Sequence, residues 1–126
     1  MRFPCYKELE IWKRSYQVVL QVYSLLKTCR DHGLKDQISR SAVSVPSNIA
    51  EGSERGSYKD NIRFLYIAKG SCAELATQIS LAVDLGYIPM EAGRKLESEI
   101  LEIGRMIGGY IKFLSQHVKE ESAEYF

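Results

Sequence analysis

Gln37, Arg40, Ser44, Asn48 and Glu51 recur three or four residues apart, the spacing that puts polar side chains on one side of a helix. A second set, Arg63, Glu74, Thr77 and Gln78, lies in the next apolar-periodic stretch. Glu51 and Glu74 could serve as acid or base, and Arg40 and Arg63 could hold an anion, as in a small hydrolase or nuclease. The structural expectation is stronger. Charged groups near the middle of a helical bundle are tolerated only when paired and hydrogen-bonded. The two polar rows are therefore expected to face each other as a seam that sets helix register, with no catalytic role.

Other chemistry finds little support. His32 and His117 lack Cys, Asp or Glu at ligand spacing on their own helix faces, and paired Glu-x-x-His motifs are absent. Cys5, Cys29 and Cys72 are odd in number and form no CxxC, so neither a disulfide framework nor a zinc site is expected. There is no GxxxxGK[ST], and no serine has a recognisable base partner. The expectation is a non-enzyme without metal or cofactor. Reduced thiols, a charged N-terminus and the lack of a long apolar run suggest a cytoplasmic protein that does not span a membrane.

Charge offers a different chemistry. The net charge of the 126 residues is only +1. Residues 1–70 nevertheless hold twelve Lys/Arg against seven Asp/Glu, and the remainder hold five against nine. Lys13, Arg14, Arg40, Arg55, Lys59, Arg63 and Lys69 are the candidate nucleic-acid-binding residues. No base-reading motif accompanies them, so binding to RNA or DNA would be directed at backbone or shape and would depend on salt. Two helix pairs of opposite charge attracting each other would explain the same asymmetry.

The elements that must position these residues read as four helices in one domain, about 7–28, 34–52, 57–85 and 89–118, with a frayed tail over 119–126. No strand pattern is present. Short connections imply an all-α, antiparallel up-and-down four-helix bundle. In the first helix, Leu9, Trp12, Tyr16, Val19, Leu20, Tyr23 and Leu26 form one apolar stripe, and Ile11, Val18, Val22 and Leu25 form another. A bundle helix needs only one stripe, so the excess points to a second covered surface, such as another subunit. The third helix is apolar on two sides as well. Its start, Ser57-Tyr58-Lys59-Asp60, resembles a capping box. Pro46 is expected to kink the second helix, and Gly52 to cap its end. The fourth helix has one clean stripe through Leu96, Ile100, Ile103, Ile107, Ile111, Leu114 and Val118, with Gly104 and Gly108 as a close-packing patch.

The run Ala42-Val43-Ser44-Val45-Pro46-Ser47-Asn48-Ile49-Ala50-Glu51-Gly52, with Gln37-Ile38 and Arg40 before it, resembles the 23S rRNA intervening-sequence family. Arg55, Arg63-Phe64-Leu65, Ile67-Ala68, Gly70-Ser71, Glu74-Leu75, Thr77-Gln78 and Leu85-Gly86-Tyr87-Ile88 continue the resemblance, and Leu9 and Trp12-Lys13 resemble the family's first-helix entry. Ser39 and Lys69 depart from it where arginine is common. These changes weaken guanidinium-specific contacts, although Lys69 keeps the charge. The resemblance implies a four-helix bundle assembling into a ring, typically a homopentamer. Related accessory variability proteins of diversity-generating retroelements are basic pentamers that bind nucleic acid and a reverse transcriptase. The expected function is thus a homo-oligomeric scaffold for structured RNA or a ribonucleoprotein partner such as a reverse transcriptase. The alternative is a protein–protein interaction module without nucleic-acid affinity.

Overall fold

The computed structural model describes residues 3–124, which form four helices: α1 (Glu10–Leu25), α2 (His32–Glu54), α3 (Tyr58–Asp84) and α4 (Met90–Glu124). A short 3-10 turn, Tyr6–Glu8, precedes α1. Among the described residues there is no strand. Each helix packs against two neighbours, in the cyclic order α1, α2, α3, α4. The result is the expected antiparallel four-helix bundle.

The ends of the helices follow local chemistry. Asp31 caps α2 by accepting from the Leu34 N–H at 3.1 Å, so α2 begins at His32, two residues earlier than expected. Ser57 caps α3 through the Asp60 N–H at 3.1 Å, as its capping pattern indicates. Leu9 is extended and separates the 3-10 turn from α1, which therefore starts at Glu10 and not near Lys7.

Gly52 does not end α2. It is buried inside the helix, and the left-handed residue is Gly56, at φ +81°, just beyond Arg55. Pro46 does not interrupt α2 either, which stays helical on both sides of it. Pro89 lies just before α4 and not within its first turn; its carbonyl accepts from the Gly93 N–H. α4 passes the expected stop at Val118 and continues to Glu124, so residues 119–124 are helical. The rest of the expected frayed tail lies outside the described residues.

The core is a column of aliphatic side chains. The α4 stripe is buried from Leu96 to Leu114, as its spacing predicts. From α1, it is the shorter stripe that enters the core, through Ile11, Val18 and Val22, joined by Ser15 and Leu26. Tyr16, Leu20 and Tyr23, expected in the main stripe, are 45–53% exposed. In α3, Leu65, Ala68, Cys72, Leu75 and Ile79 are inside, while Ile67 and Leu85 remain outside. The excess apolar surface read in the sequence is therefore present and stays exposed on the bundle. No described helix is long and apolar enough to cross a membrane.

Candidate functional site

The α2–α3 boundary holds a polar seam, built from fewer residues than the spacing suggests. Its centre is Ser41, which is buried. Its Oγ lies 2.5 Å from Glu74 Oε1, 2.8 Å from the Gln78 side-chain amide and 3.0 Å from the Gln37 carbonyl. One turn on, Ser44 Oγ meets Ser71 Oγ at 2.9 Å, and Asn48 Nδ2 donates to the Ser44 carbonyl and hydroxyl. Ser44, Asn48, Glu74 and Gln78 thus do come together, whereas Gln37 is exposed and contributes only its backbone carbonyl within α2. Arg40, Glu51 and Thr77 bond within their own helices, to Asp36, Arg55 and the Ala73 carbonyl. Sequence reasoning missed Ser41, whose apolar neighbours Ile38, Ala42 and Val45 make it look like a core filler. Its signal was its place three residues before Ser44 and four after Gln37.

The chemical capacity of the seam is small. A serine hydroxyl between a carboxylate and an amide lacks the histidine or lysine base that would make it nucleophilic. No described group of three or more His, Cys, Asp or Glu side chains could hold a metal. The arrangement joins α2 to α3 through the Ser41–Glu74, Ser41–Gln78 and Ser44–Ser71 hydrogen bonds.

The candidate cations separate into two kinds. Arg14 is half-buried and bridges Glu99 and Glu102 of α4, with Nε 2.9 Å from Glu99 Oε2. Hydrogen bonding by Arg14 holds the Glu99 carboxyl below the usual carboxylate range. Lys13 lies 3.7 Å from Glu10, and Arg40 lies 3.0 Å from Asp36. At the α2–α3 corner, Arg55 and Arg63 both stack on Phe64, with guanidinium carbons 4.9 and 4.7 Å from the ring centre, and pair with Glu51 and Asp60. Lys59 and Lys69 are exposed and form no ion pair with another described residue. Arg55, Lys59 and Arg63 gather at that one corner, Lys69 stands further along α3, and Arg14 lies on the α1–α4 side.

Two of the depressions on the bundle surface are mainly apolar. Between α1 and α2, Trp12, Tyr16, Leu20, Val43, Pro46 and Ala50 line an apolar groove of about 400 Å³. Between α3 and α4, Tyr66, Lys69, Gly70, Leu101, Gly104 and Arg105 line one of about 470 Å³.

The family model "23S rRNA-intervening sequence protein" matches residues 7–109. The chain belongs to that family. The chain is also similar to a crystal structure from Bacteroides thetaiotaomicron, described as a protein of unknown function from the S23 ribosomal protein family. The TM-score is 0.74 at 24% identity, covering 81% of this chain and 98% of the other, and that likeness shows the shared fold. No curated protein matches the chain. The match spans α1, α2, α3 and most of α4, so the polar seam and both grooves fall within the family region.

Proposed function

We propose that this protein is a non-catalytic, cytoplasmic scaffold that assembles with copies of itself and binds structured RNA, or a ribonucleoprotein partner such as a reverse transcriptase, through basic surfaces. The observation that carries this reading is the division of the outer surface. Tyr16, Leu20 and Val43 line the α1–α2 groove and are 41–52% exposed, and Tyr23, nearer the α1–α2 turn, is 53% exposed. Patches of that kind mark interaction sites.

A second surface is available to a neighbouring copy. Ile67, Leu81 and Leu85 share one side of α3 and are 45–58% exposed, with the polar seam residues Ser71, Glu74 and Gln78 between them. Two unlike patches suit a head-to-tail contact, which closes into a ring when the rotation allows, and a homopentamer is the ring that the family resemblance implies. A ring would repeat each basic surface in every subunit and raise the local field on an RNA backbone.

Ion pairing favours a second reading. Five of the seven candidate cations already have carboxylate partners in the same chain, which suits a protein–protein interaction module without nucleic-acid affinity. Light scattering combined with RNA binding across a salt series separates the two. The scaffold reading expects an oligomer whose RNA affinity falls steeply with salt. An oligomer without RNA binding at low salt selects the second reading, and a monomer at micromolar concentration overturns both.

A further inference from the structure

We propose that the groove between α3 and α4 is the surface on which an unpaired RNA strand lies, its phosphates held by Lys69, Arg105 and Lys112 and one of its bases stacked on Tyr66. This rests on the RNA-binding reading above and assigns it a place.

Three observations meet there. The first is charge. The groove lining includes Lys69 and Arg105 and no carboxylate. Lys112, two helical turns along α4 from Arg105, is exposed too. None of the three forms an ion pair with another described residue. By contrast, the depression between α1 and α4 is lined by Glu99 and Glu102 with Lys95, and the one beside the α1–α2 turn by Asp36 with Lys35, so both hold carboxylates. Of these surfaces, the α3–α4 groove is the one suited to a polyanion.

The second observation is access. A Cβ on Gly104 would stand 3.5 Å from Cys72 Cβ, and one on Gly108 would stand 3.4 Å from Lys69 Cε. Those are ordinary contact distances, and they show the Lys69 stem lying against α4 beside Gly108, with its Nζ 3.9 Å from that Cβ. Gly70, with nothing within 4 Å of a Cβ, leaves the floor open to a sugar–phosphate backbone.

The third is an aromatic surface. Tyr66 is 57% exposed at the edge of the groove. Aromatic rings beside a cationic track are the means by which single strands are held without reading sequence. On the same α3 stripe, Arg63 and Lys59 stand three and seven residues before Tyr66 and continue the positive track toward the α2–α3 corner. From Lys59 to Lys69 this track spans about 15 Å at 1.5 Å per residue. That length accommodates about four phosphates of a stacked strand at 3.4 Å each.

The test uses the full chain with a fluorescein-labelled oligouridylate, and with a labelled RNA hairpin as the paired comparison, by anisotropy across a salt series. The Lys69→Gln/Arg105→Gln double variant is expected to reduce the slope of log K against log salt by about 1.4, at 0.7 per lost single-strand phosphate contact. Tyr66→Ala is expected to weaken oligouridylate about five-fold or more, and the hairpin less. Arg94→Gln, which removes a cation paired with Asp84 and Glu97 away from the groove, should leave both unchanged. Helicity and light scattering check that each variant keeps its fold and assembly, and the single variants Lys69→Gln and Arg105→Gln provide the readout if the double variant unfolds. Wild-type binding with an unchanged slope in these variants overturns the groove while the RNA-binding reading stands. A loss of assembly with the slope intact makes the groove a contact between copies and overturns it too. No binding by the wild type removes both.

Discussion

Gly52 of α2 lies so close to Asn61 of α3 that a Cβ on the glycine would stand 2.9 Å from the asparagine Oδ1. The same Cβ would stand 2.9 Å from Phe64 Cβ and 3.1 Å from the Asn61 carbonyl oxygen, so α3 itself would have to move. Gly52→Ala gains about 1 kcal/mol of helix propensity but loses about 1–3 kcal/mol to overpacking. The expected net result is a destabilisation of about 1 kcal/mol in urea unfolding. Gly109→Ala is the opposite case, because nothing lies within 4 Å of the new methyl group. It should stabilise by up to about 1 kcal/mol.

The Arg14 clamp gives stability a pH dependence of defined sign. Glu99 titrates below its ordinary value because Arg14 hydrogen-bonds to it. Its contribution is therefore present above the unfolded value, near ~4.3. It is lost as pH falls through the lower folded value. Arg14→Gln should cost about 1 kcal/mol at neutral pH, since the partly exposed pair is screened by solvent. The difference from wild type should vanish at strongly acidic pH. Paired urea titrations at the two pH values measure it.

Cys72 sets a limit on the alkaline side. Burial pushes its thiol up to about 12 from an ordinary value of 9.0. Unfolding therefore releases a proton once pH exceeds the unfolded value, and stability falls as pH rises from about 9 toward 12. Cys72→Ala should flatten the melting temperature against pH in that range, whatever its effect on stability at neutral pH. In the folded protein, a thiol-alkylating reagent should modify exposed Cys5 quickly and buried Cys29 and Cys72 only on unfolding.

The seam makes a comparative prediction. Ser41→Ala removes a buried hydroxyl that Glu74 and Gln78 approach, and should cost about 1 kcal/mol. Thr77→Ala removes an exposed hydroxyl that bonds only its own helix, and should be neutral or slightly stabilising. Equal losses in the two variants would argue against register-setting at Ser41.

The parts of this structure legible in the sequence are those governed by local periodicity. The isoleucine stripe of α4 and the Ser57 cap depend on neighbours a few residues away. Gly52 misled because glycine serves two purposes, a left-handed turn and a close crossing, and the choice between them depends on a residue in the next helix. In α1 the stripe with more aromatic mass is the outer one, since burial within the bundle selects the side that fits between α2 and α4 and not the most apolar side. Arg14 read as a free cation because its acids lie 85 and 88 positions away. Helical spacing placed Ser44, Asn48, Glu74 and Gln78 on the seam. Arg40 and Glu51 were drawn instead to partners one turn along α2, a competition that a face assignment does not resolve.

The shortest helix, α1, carries exposed Tyr16, Leu20 and Tyr23 on the outside of the bundle. An element only partly covered within its own chain is where native-state hydrogen exchange begins. If another copy covers those residues, subunit contact and α1 order become a single linked equilibrium. The melting temperature would then rise with protein concentration, and dilution would loosen α1 before the helices behind it.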